Sequence, residues 1–194
     1  VQDIYNSNYR FPPPPKKPTL TAVPGDGKVT LYWDRVAEES LDPVTKEKDF
    51  QGYKIYRATD PNFNDVRNIT DANGLIQGYS TLAQFDKKDE ITGYFYPSKS
   101  LFQDTKGYSY YLGDDSGLIH SYIDNDVQNG RTYYYALVAY DHGDEEKDIF
   151  PSENSKFISV LPTGEIITDQ NTAYITPTSS AAGYSLNDTI KTKH

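Results

Sequence analysis

The chain has 194 residues, 36% of them hydrophobic and 14% aromatic, with 18 tyrosines, a formal net charge of −9, and neither cysteine nor methionine. This length allows one domain with extensions or two small ones. Lack of cysteine excludes disulfides, thiolate metal sites and a cysteine nucleophile; the negative charge speaks against nucleic acid, whose phosphates would be repelled; and no apolar run approaches the ~20 residues that span a bilayer, so no membrane insertion is expected.

Without a methionine, Val1 reads as a processing site or the edge of a fragment. Residues 1–17 end in the run Pro12-Pro13-Pro14-Pro15, whose fixed φ favours an extended polyproline spacer, so they are expected to link to an upstream module. From Pro18 the pattern changes. Leu20 and Ala22 precede a Pro24-Gly25-Asp26-Gly27 turn, after which Val29, Leu31 and Trp33 alternate with polar neighbours: a strand pair with the single Trp inward. Residues 35–50 read as a charged loop, and Gly52–Thr59 resumes alternation with Tyr53 and Ile55 inward.

Residues 60–117 are interrupted by turn signals and read as an inserted small β or irregular subdomain. Within them Asn73-Gly74 predicts a hairpin pairing Val66–Thr70 with Leu75–Thr81. Leu118–Asp124 alternates again. The strongest strand is Tyr133–Asp141, with Tyr133, Tyr135, Leu137 and Ala139 on one side, the side suited to a core. Lys156–Leu161 is expected to be the last strong strand, and residues 164–194 an extension or the start of a following module.

Pro18, Leu20 and Ala22, then Val29, Leu31 and Trp33, then Tyr53, Ile55 and Tyr56 resemble strands A, B and C of the fibronectin type III family. Val127 to Ala139, with Asn129, Gly130, Thr132 and Tyr133, is similar to that family's E–F turn, tyrosine corner and strand F, and Phe157–Leu161 to its strand G. The resemblance implies an all-β, immunoglobulin-like antiparallel sandwich over residues 18–163, enlarged between strands C and E. Its core would hold Trp33, Tyr53, Tyr133, Tyr135 and Leu137, with the Tyr133 hydroxyl bonded back to the corner backbone.

Catalytic signatures are poor. The three histidines, His120, His142 and His194, are dispersed, and no nucleophile elbow, phosphate loop or dinucleotide fingerprint occurs. No enzyme is expected. Asp60, Asn62, Asn64 and Asp71 fall at calcium-loop positions of a twelve-residue window, although Asp65 stands where a Gly is needed for the sharp turn; an Asx turn is the competing reading. The insert gathers Tyr94, Phe95, Tyr96, Phe102, Tyr108, Tyr110 and Tyr111. These either form the insert's own small core or expose a platform, with Tyr94, Tyr96, Phe102, Tyr108 and Tyr110 as the ligand or interface residues. The expectation is a non-catalytic structural or adhesion module of a secreted or cell-surface protein, bacterial in type, whose partners are neighbouring domains or other copies. Two alternatives stand beside it: an accessory polysaccharide-binding module, and a component of a phage or extracellular filament.

Overall fold

The computed structural model describes residues 12–43, 45–70, 76–96, 109–147 and 149–180. Antiparallel strands dominate, and no α-helix occurs among the described residues. One sheet has three strands in the order β1 (Leu20–Gly25), β2 (Lys28–Trp33), β9 (Ser121–Asp124). The other has four, in the order β13 (Thr172–Ile175), β10 (Tyr133–Asp141), β3 (Phe50–Ala58), β6 (Ala83–Asp86). Among the described residues there are also three two-stranded ribbons: β4 (Ile69–Thr70) with β5 (Ile76–Gly78), β7 (Gly93–Tyr94) with β8 (Tyr111–Gly113), and β11 (Ile158–Val160) with β12 (Ile166–Thr168). The first ribbon is the hairpin predicted around Asn73-Gly74.

The side chains of alternating strand residues meet between the two main sheets. Val29, Leu31 and Trp33 face Tyr53, Ile55, Tyr133, Tyr135 and Leu137 in one apolar cluster. Burying so many large side chains contributes roughly 1.5–3 kcal/mol each before entropy is subtracted. Trp33 packs edge-on against Tyr53, with ring centroids 5.9 Å apart. At the corner before β10 the backbone N–H of Gln128 donates to the Tyr133 hydroxyl at 2.9 Å, tying the turn to the strand it feeds.

A buried charge network joins the sheets. Asp124 at the end of β9 accepts from the Arg57 guanidinium at 2.9 and 3.0 Å and from the Tyr135 hydroxyl at 2.7 Å. A carboxylate this deep is tolerated because both oxygens are bonded and a cation faces it.

Three expectations need correction. The place beside β10 belongs to Thr172–Ile175, not to Phe157–Leu161. The latter has the stronger apolar pattern, yet Phe157 and Val160 are half exposed and Ile158 packs on the outer face of the sheet. Polar anchoring decides the competition: Asn171 donates through its side-chain amide to the Leu137 and Ser155 carbonyls, while its backbone carbonyl accepts from Leu137 N–H. The sandwich therefore runs past residue 163. Nor does it begin at Pro18: Asn154 donates to the Pro15 carbonyl, Lys16 N–H donates to Ser40, and Lys17 pairs with Asp169, so the end of the proline run is docked on the body. Finally, the insert is not separate throughout, since β6 hydrogen-bonds to β3 as the edge of the four-stranded sheet.

The two central strands are buried on both faces. Tyr56, Ala58, Ala136 and Val138, on the side away from the sandwich core, form a second apolar cluster with Phe63 and Ile158. Tyr140 joins a third with Phe95, Tyr110 and Leu112. Insert and β11–β12 ribbon thus act as a third layer over the four-stranded sheet.

Candidate functional site

The outward residues of β3 that this third layer does not fully cover form the floor of a groove of about 530 Å³. Lys54 and Tyr56 come from β3, Gln84 from β6, Ser109, Tyr110 and Tyr111 from in and around β8, Tyr94 from β7, and Gly78 and Tyr79 from the β4–β5 hairpin; Pro151 and Glu153 close the remaining side. Period-two alternation explains the floor: with Tyr53 and Ile55 committed to the sandwich, Lys54 and Tyr56 must point the other way.

β8 is held in place by Asp86. This buried carboxylate at the end of β6 accepts from the N–H groups of Asp115 (2.6 Å) and Ser116 (3.1 Å) and from the Ser116 hydroxyl at 2.5 Å. Gly113 makes the approach possible, because its φ of +139° and an added Cβ only 2.3 Å from Asp86 Cγ both exclude a side chain. Gln84 crosses the gap from below, donating to the Leu112 carbonyl at 3.1 Å and to the Tyr140 hydroxyl at 2.7 Å.

The centre of the floor is an ammonium–carboxylate pair among phenols. Lys54 Nζ lies 3.6 Å from Glu153 Oε2, 3.6 Å from the Tyr110 ring centroid and 4.8 Å from that of Tyr140. Glu153 also accepts from the hydroxyls of Tyr110 (2.8 Å) and Tyr56 (3.3 Å). Lys156 Nζ sits on the other side, 3.5 Å from the Tyr79 centroid and 4.6 Å from that of Tyr56. Burial pushes the Lys54 amine down to about 8, with Glu153 opposing the shift and Lys156 reinforcing it. Burial, aided by the Glu153 charge, pushes the Tyr110 phenol well above its ordinary value. Three factors favour the cation here: the carboxylate and two electron-rich ring faces.

Of the residues expected to form a ligand platform, Tyr94 and Tyr96 are exposed, at 49% and 63%. Tyr94 stands at the groove rim against Tyr111, centroids 5.1 Å apart and planes at 57°. Tyr96 does not line the groove; its backbone N–H donates to Glu145. Tyr110 lines the groove but is buried, its hydroxyl spent on Glu153, which corrects the expectation of an open aromatic face there. Phe102 and Tyr108 lie outside the described residues. So the insert aromatics divide: Phe95 and Tyr110 form a small core with Leu112, and Tyr94 and Tyr111 line the groove.

At the calcium-loop positions, Asp60 Oδ2 accepts from the Asn64 backbone N–H at 3.0 Å and side-chain amide at 2.7 Å. Asp65 turns back to the Thr59 N–H and hydroxyl. Asp60 is thus spent on local bonds just ahead of the short 3₁₀ helix Asn64–Val66, and the Asn64 amide points a donor where a cation needs an acceptor. Asp71 lies outside the described residues. Among the described residues no group of three or more His, Asp or Glu is placed to hold a metal ion.

Sequence reasoning missed Lys54, Tyr79 and Glu153. The signal was present in Ala136, Val138 and Tyr140: a strand apolar on both sides has two covered faces, so its neighbour's outward residues belong to an interior surface. Comparison with known proteins supplies no further guide, since no protein-family model, curated protein or solved structure matches this chain.

Proposed function

We propose that the chain is a non-catalytic, fibronectin type III-like binding module of a secreted or cell-surface protein, and that its groove docks a saccharide. The strand order β1-β2-β9 against β13-β10-β3-β6 supports the family resemblance, because it is the order that strands A-B-E and G-F-C-C′ of that family would have, with β13 as strand G. The observation that carries the ligand reading is the groove itself. Tyr94 and Tyr111 offer ring surface for the apolar face of a pyranose, while Glu153, Gln84 and Lys54 lie where hydroxyls would need acceptors and donors. A short cleft that couples aromatic surface to fixed polar groups suits an uncharged polyol better than an apolar chain. The acidic surface, net −9, agrees with a neutral ligand over an anionic one. A polysaccharide pull-down and glycan array with the native chain, Tyr94→Ala and Tyr111→Ala test this. Retention by the native chain and a loss of tenfold or more in each variant, with unchanged melting, is expected. No retained glycan, or equal retention by all three proteins, refutes saccharide docking and leaves the module a spacer or adhesion unit that binds through another face.

A further inference from the structure

We propose that Lys54 is a covalent capture site for small aldehydes, its amine condensing with the carbonyl of a hydroxyaldehyde, such as the open-chain form of a reducing sugar, to give an imine. This goes beyond saccharide docking and does not require it.

The geometry supplies each part of the reaction. Lys54 lines the groove with 6% of its surface exposed, so a small carbonyl compound seated there lies against this residue. The amine needs its lone pair to attack, and the burial that depresses its basicity to about 8 makes the neutral form common at mild pH. Attack forms the C–N bond while the carbonyl π pair moves to oxygen, and one proton passes from the nitrogen to that oxygen; the product is a carbinolamine. Its nitrogen then gives up a proton, the hydroxyl leaves as water, and the C=N bond closes. Nothing is oxidised or reduced, and water is the one by-product.

Glu153, 3.6 Å from Nζ, is placed to take the proton from nitrogen and return it to the departing hydroxyl. The Tyr110 hydroxyl, 2.8 Å from Glu153 Oε2, fixes that carboxylate in position. The titratable and charged groups around the amine are Glu153, Tyr110, Tyr140, Tyr56 and Lys156. Of these Glu153 alone favours the ammonium by charge, and Lys156 opposes it.

The test uses the full chain, glycolaldehyde as probe and cyanoborohydride to trap the imine as a stable secondary amine, with each lysine followed by peptide mass mapping. At pH 8 an amine of that basicity is about half neutral, against roughly one part in 300 for an ordinary lysine. After allowance for restricted access and weaker intrinsic nucleophilicity, Lys54 is expected to label at least tenfold faster than the exposed Lys48. The preference should vanish in urea. Labelling of Lys54 at or below the rate of Lys48, or a preference that survives unfolding, overturns the proposal. Glycolaldehyde is too small to report on saccharide recognition, so a failure here and a failure on the glycan array are separate results.

Discussion

Asp141 gives the sharpest thermodynamic test of the structure. It ends β10 at 3% exposure, its Oδ1 accepting from the N–H groups of Ser152 (2.8 Å) and Gly143 (3.2 Å) and its Oδ2 from the Ser152 hydroxyl (2.5 Å). Burial outweighs these bonds, and with the nearby Asp49 charge it raises the carboxyl to about 6 from 3.8. Because the folded value lies above the unfolded one, the native state binds the extra proton between pH 4 and 6. Stability from this group is therefore complete below pH 4 and is lost as pH rises through 6. The shift corresponds to about 3 kcal/mol at neutral pH, at 1.36 kcal/mol per pH unit. Asp141→Asn keeps the shape and the Oδ1 acceptor, and the Ser152 hydroxyl can rotate to accept from the new amide. Urea unfolding followed by the fluorescence of the single, buried Trp33 reads the difference. The variant minus native stability should rise by about 2–3 kcal/mol between pH 3.5 and 7, whatever constant offset the amide introduces. A difference flat across that range, or falling, refutes the claim that burial dominates at Asp141.

Two further outcomes follow from the polar anchors. Asn171→Ala removes the side-chain bonds to the Leu137 and Ser155 carbonyls; it should cost about 2–3 kcal/mol and raise hydrogen exchange in β13 ahead of β3, as amide exchange would show. Tyr135→Phe deprives the buried Asp124 of one of its bonds while leaving Arg57 in place, and should lower stability by about 1–3 kcal/mol in a urea titration.

The sandwich was largely legible because each main strand carries period-two alternation and the turns carry Gly or Pro. Trp33, Tyr53, Tyr135 and Leu137 lie in the core for the reason their spacing suggests. The choice between Phe157–Leu161 and Thr172–Ile175 was not legible. Apolar pattern favours the first, and what seats the second is a set of hydrogen bonds from Asn171 that exist only once Leu137 and Ser155 are in place. Likewise nothing local distinguishes Tyr110, buried by a lysine and a glutamate far away in sequence, from Tyr94, left in solvent. A tyrosine's fate depends on whether its hydroxyl finds a partner inside, which is a tertiary fact.

β3 shows how scaffold and site are coupled. Its odd residues, Tyr53 and Ile55, are fixed by the sandwich, and its even ones, Lys54 and Tyr56, are thereby fixed as the groove floor. A one-residue slip would exchange the two sets and bury a lysine in the main core, so the register that stabilises the fold also specifies the site. Eight paired residues of β10 lock β3 on one side, and β6 holds it on the other. The floor is consequently rigid, and whatever adaptation a ligand requires must come from the rim, where Tyr79 and Tyr94 are carried by two short ribbons with few ladder bonds. Such a division, a fixed polar floor under adjustable aromatic walls, agrees with the saccharide docking proposed above for ligands that share a hydroxyl pattern but differ in size.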